Sequence, residues 1–126
     1  MNNKNACTCS EALKLIFPCS GCSDVGGLTD QAARKMTADG IGKMYCLAGI
    51  GGKVRLILET TQSASKILAI DGCKLDCARR TLREAGFTKI KHVRISNHGF
   101  EKGESPLTDE NIAAVARLSA EAMTAE

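Results

Sequence analysis

Cys73 and Cys77 lie four residues apart in Ile67-Leu68-Ala69-Ile70-Asp71-Gly72-Cys73-Lys74-Leu75-Asp76-Cys77. The apolar run 67–70 predicts a buried strand, Asp71-Gly72 a turn, and the residues beyond it a helix. Residues four apart on a helix share a face, so both sulfurs can point at one place. Two thiols so placed make half of a tetrahedral metal site or half of a redox pair. The chain has five further cysteines: Cys7, Cys9, Cys19, Cys22 and Cys46. The question is which of them the fold brings to the same point.

The elements that must do this follow from periodicity. Residues 13–17 read as a first strand stopped by Pro18, with Cys19-Ser20-Gly21-Cys22 as a turn after it. Gly26-Gly27 reads as a loose lead-in, and Leu28, Ala32, Ala33 and Met36 predict a helix over 29–38. Residues 43–48 read as a second strand that includes Cys46, with the Gly49-Ile50-Gly51-Gly52 turn and a helix to about 65 following. Residues 66–70 form the third strand, the helix after Cys73 stops at Gly86, and 91–96 form the fourth strand. Thr108 caps a last helix, with Leu107 and Ile112 at the spacing of a hydrophobic staple.

Strand-helix alternation predicts an α/β fold. It is a single three-layer domain over 13–126, with a four-stranded, mainly parallel sheet in the order 2-1-3-4 and helices on both faces. Residues 1–12, with Cys7 and Cys9, read as a flexible tail. Parallel sheets bind ligands at the carboxyl ends of their strands, where the strand order reverses. In this order Cys19, Cys46, Cys73 and Cys77 all reach one rim.

Four thiolates suit zinc, so the first expectation is a zinc site of Cys19, Cys46, Cys73 and Cys77, with Cys22 as a competing ligand. The rival is thiol-based oxidoreduction or group transfer through Cys19 or Cys22, because Cys19-x-x-Cys22 lies between a strand and a helix. Each cysteine can also be a small buried apolar residue, a reading that weighs most for Cys46 within its strand. Asp71 and Asp76 read as turn and cap residues, His92 as structural, and His98 as a plain loop residue on the rim.

Other chemistries fail on particular residues. Val25 stands where a phosphatase loop beginning at Cys19 needs its arginine. Around Gly49-Ile50-Gly51-Gly52-Lys53, Leu47 and Val54 replace the first glycine and the hydroxyl residue of a phosphate loop. The net charge of +3, the scattered basic residues and the near absence of aromatics argue against nucleic acid as a partner. Apolar runs are too short for a membrane span, and the polar start 1–5 is no secretory signal. The expected location is cytoplasmic, where thiols stay reduced.

The blocks Phe17-Pro18-Cys19-Ser20-Gly21, Ser23-Asp24-Val25-Gly26, Cys46-Leu47-Ala48-Gly49-Ile50-Gly51-Gly52 and Asp71-Gly72-Cys73-Lys74-Leu75-Asp76-Cys77-Ala78 resemble those of the DGC-domain proteins. The resemblance runs from about residue 15 to 112. It implies zinc held by four cysteines, carried over here as Cys19, Cys46, Cys73 and Cys77, and it implies no particular reaction. The expected function is therefore a zinc-binding protein whose metal is structural or serves small-ligand binding or sensing. Its partners are the metal ion and an unidentified small molecule.

Overall fold

The computed structural model describes residues 13–125. The tail expected over 1–12, with Cys7 and Cys9, lies outside the described residues. The chain forms β1 (Lys14–Pro18), α1 (Asp24–Ala38), β2 (Lys43–Met44), α2 (Leu47–Gly51), α3 (Arg55–Gln62), β3 (Lys66–Asp71), α4 (Cys77–Glu84), β4 (Lys91–Arg94) and α5 (Asp109–Thr124). A short 3-10 turn, Ile95–His98, follows β4. The four strands make one parallel sheet in the order β2-β1-β3-β4. This is the α/β, three-layer arrangement and the 2-1-3-4 order expected from the alternation.

Period-two alternation along the buried strands sends side chains to two cores. Ile16, Leu68, Ile70, Val93 and Ile95 pack under α1 and α5. Leu15, Phe17, Ile67 and Ala69 pack under the opposite helices, with Ile50, Ala78 and Leu82. Asp71 continues the second series, one residue beyond Ile70, at a position where another aliphatic side chain would fit the pattern. His92 and Arg94 share that face, because Ala69 pairs with His92 and Asp71 with Arg94.

Four boundaries differ from expectation, and each difference moves a candidate residue. Helix α4 begins at Cys77, so Cys73 lies in the turn before it and the two cysteines do not share a helical face. Helix α1 begins at Asp24 rather than 29, so Gly26 and Gly27 are helical. Ser23 caps it by accepting from the Gly26 amide at 3.3 Å. Gly26 is a packing residue: a Cβ there would lie 2.5 Å from the Gly21 carbonyl oxygen. Strand β2 has two residues instead of six, and Cys46 is the N-cap of α2. The expected Gly49–Gly52 turn is thus mostly a short helix, and α3 follows as a separate one. Strand β4 ends at Arg94, so 95–98 turn away from the sheet.

Asp24 ties this end of the sheet to the long loop before α5. Its carboxylate accepts from the amides of Val25 at 2.8 Å, Gly103 at 2.9 Å and Ser105 at 2.9 Å. The Gly103 and Ser105 amides, in that order, hold the Asp24 carboxyl below its usual range. A carboxyl whose folded pKa is depressed stabilises the fold fully above its unfolded pKa, about 3.9, and loses that contribution as pH falls through the folded value. Urea midpoints measured below about pH 4 are expected to fall less steeply in Asp24→Asn than in the native chain. Equal slopes would contradict the clamp.

Candidate metal centre

The strand order reverses between β1 and β3: the chain leaves β1 toward β2, then returns past it to β3. The crevice at that switch point is bordered by the segments leaving β1 and β3, which carry Cys19 and Cys73. The ladder extends one residue past β1, since the Cys19 amide donates to the Ile70 carbonyl at 2.9 Å. Both corners then bend sharply. Ser20 has φ of 52° and Asp76 has φ of 55°, a left-handed conformation that costs a non-glycine residue roughly 1–3 kcal/mol. The two corners are pressed together by α1. A Cβ on Gly72 would lie 2.9 Å from Val25 Cγ2, so only glycine lets the β3 turn meet that helix.

Asp71 organises the second corner. It is 1% exposed. Its Oδ1 accepts from the Ala78 amide at 2.7 Å, and its Oδ2 accepts from the Arg79 amide at 3.2 Å. A carboxylate at the end of β3 therefore satisfies two of the amides left open at the start of α4. His92 Nε2 reaches the same Oδ2 at 2.9 Å. Asp76 lies beside them, 3.6 Å from His92 Nε2, and takes a two-pronged bond from Arg94: Nε to Oδ1 at 2.8 Å and Nη2 to Oδ2 at 2.5 Å. That Arg94 bond is the main cause holding the Asp76 carboxyl below its usual range. The network welds α4 to β4, and so fixes the helix on which Cys77 is the first residue.

Asp71, Asp76 and His92 form a group of potential metal ligands, their nearest donor atoms all within 4.8 Å of one another. Each of their donor atoms already has a hydrogen-bond partner. Facing a carboxylate, His92 Nε2 carries the hydrogen, and Arg79 Nη1 stands 3.5 Å from Nδ1, where a guanidinium can only donate. Arg94 covers both oxygens of Asp76. A cation here would have to compete with the positive charge of the Arg79 and Arg94 guanidiniums.

The thiols follow the strand ends along the same rim. Cys19 and Cys73 are half-buried, while Cys22, Cys46 and Cys77 are exposed, and all five are free thiols. No three of the described cysteine sulfurs close to within 4.8 Å of one another. Cys77 senses its neighbours: burial pushes its thiol pKa up, and Asp71, Cys19 and Cys73 push it further. Cys46 Sγ accepts from the Gly49 amide at 3.3 Å. It shares with Cys19 a cavity of about 510 Å³, walled by Pro18, Tyr45, Leu47 and Thr81 among others, with no charged side chain in its lining. Cys22 is off this wall, and His98 is exposed at the end of the 3-10 turn.

The DGC-domain family matches residues 15–118. The chain belongs to the DGC-domain family. It is also similar to the anaerobic and virulence modulator AnvM of Pseudomonas aeruginosa, 36% identical over 92 residues that span 73% of this chain and 70% of that one. No solved structure matches the chain. Among the described residues of this DGC domain no helix is long and apolar enough to cross a membrane.

Sequence reasoning missed the Asp71–His92–Asp76–Arg94 network in the DGC domain. It read His92 as structural, at the end of the fourth strand away from the rim. The available signal was parity. An aspartate on the inward series of a buried strand requires a donor, and His92 and Arg94 alternate on one face of the next strand. Asp71 does act as a cap, but for α4 rather than for its own turn.

Proposed function

We propose that this DGC domain is a zinc-binding protein that holds its metal through Cys19, Cys46, Cys73 and Cys77, with Cys22 as a competing ligand. The observation that carries this reading is the placement of Cys19, Cys46 and Cys73 just past the ends of three adjacent parallel strands, with Cys77 opening the helix that follows Cys73. The donor set fits the ion: soft thiolates select zinc, and four of them complete its tetrahedron. Loading would draw the sulfurs to roughly 3.8 Å from one another, the edge of a tetrahedron with Zn–S bonds of about 2.3 Å. The Asp71–His92–Asp76 group is read as the brace behind the thiols, not as the metal's ligands, because the Arg79 and Arg94 guanidiniums already stand against it. The cavity beside Cys19 and Cys46 leaves room for a small uncharged molecule next to the metal. We place the protein in the cytoplasm, where the five free thiols of the described residues stay reduced.

A regulatory role is the functional context we favour, since the relative AnvM carries the name of a modulator. The rival enzyme reading uses Cys19 and Cys22 as a redox or transfer pair. Metal analysis of anaerobically purified protein separates the two. About one zinc per chain supports the binding reading. Metal-free protein that cycles through a Cys19–Cys22 disulfide supports the enzyme.

A further inference from the structure

We infer that Thr29 is a positioning residue for Cys19: its buried hydroxyl sets the sulfur for metal capture. The inference rests on the zinc reading above. Thr29 lies on the inner face of α1 and is fully buried. Its hydroxyl has three partners. Oγ1 donates to the Gly26 carbonyl at 2.8 Å, accepts from the Ser20 amide at 3.2 Å, and lies 3.4 Å from Cys19 Sγ. A hydroxyl offers one hydrogen and two lone pairs, so all three sites are used.

A threonine serving its helix alone would need only the bond to the carbonyl three residues back. The other two partners come from the left-handed corner that carries Cys19, nine and ten residues earlier in the chain. Valine has the same shape and would suit the surrounding apolar face, so packing does not explain the oxygen. When a cation replaces the thiol proton, the hydroxyl can turn its one hydrogen from the Gly26 carbonyl to the sulfur, so the contact persists in both states in exchange for that helix bond. The corner has a second tether, Ser20 Oγ to Asp30 Oδ1 at 2.8 Å. Removing the Thr29 hydroxyl therefore frees the sulfur without releasing the whole loop.

The test compares Thr29→Val, Thr29→Ala and Thr29→Ser with the native chain, using zinc affinity from chelator competition and the Tm of metal-free protein. Thr29→Val and Thr29→Ala are expected to weaken zinc binding by about 10–100-fold, the usual effect of losing a partner behind a ligand. Thr29→Ser should restore native affinity, although it loses the buried methyl and some Tm. Native affinity in Thr29→Val overturns the inference while leaving the zinc reading intact. Affinity that tracks Tm across the three variants, with Thr29→Ser as weak as Thr29→Ala, overturns it as a merely structural effect. A native chain that takes up no zinc overturns both.

Discussion

Replacing Asp71 by alanine is expected to lower the unfolding free energy of the metal-free protein by roughly 3–5 kcal/mol, the low end of the total for three donors that lose one buried acceptor. For a chain of this size that is a Tm loss of roughly 10–20 °C. The change strips the acceptor from two α4 amides and from His92 at once. Each donor is left in a site that water reaches poorly, and each such orphan costs about 1–3 kcal/mol. Asp71→Asn keeps the shape and one acceptor, and should cost roughly 1–3 kcal/mol. Urea and thermal unfolding of the three proteins check the order native, Asn, Ala. If Asp71→Ala unfolds within about 1 kcal/mol of the native chain, the carboxylate is not what joins α4 to β4.

The second large effect separates thiols from brace. Cys73→Ser and Cys19→Ser are each expected to lose the zinc that the native chain holds, whereas His92→Gln should keep about one zinc per chain and lose only stability. Metal content after gel filtration, alongside Tm with and without a chelator, reads both. Zinc at a hundred times its Kd adds about 2.7 kcal/mol to the native chain, a gap the chelator should remove. The serine variants should show no such gap. The opposite pattern, zinc kept by the serine variants and lost in His92→Gln, would transfer the metal to Asp71, Asp76 and His92.

The sheet was legible because it depends on rules that act along the whole chain. Strand-helix alternation and the alternating faces of β1 and β3 fix the layers, and connection rules leave few strand orders. The rim position of Cys19 and Cys73 followed directly. What the sequence did not yield turns on single contacts between distant residues. Gly26 looks like a helix breaker until the Gly21 backbone is seen against it. Cys46 sits in a run that alternates like a strand, yet β1 pairs only with Lys43 and Met44. The Tyr45 amide adds one more bond, to Ile16, before the chain turns into α2. His92 became readable only once the β3–β4 register placed it over Ala69, within reach of Asp71.

The central claim is that sulfur, and not the carboxylate-imidazole group beside it, binds the metal. X-ray absorption at the zinc edge, on protein purified without oxygen, reads the ligand atoms directly. The account predicts a shell of four sulfurs at about 2.3 Å. A shell of nitrogen and oxygen at about 2.0–2.2 Å, or no bound zinc, would contradict it.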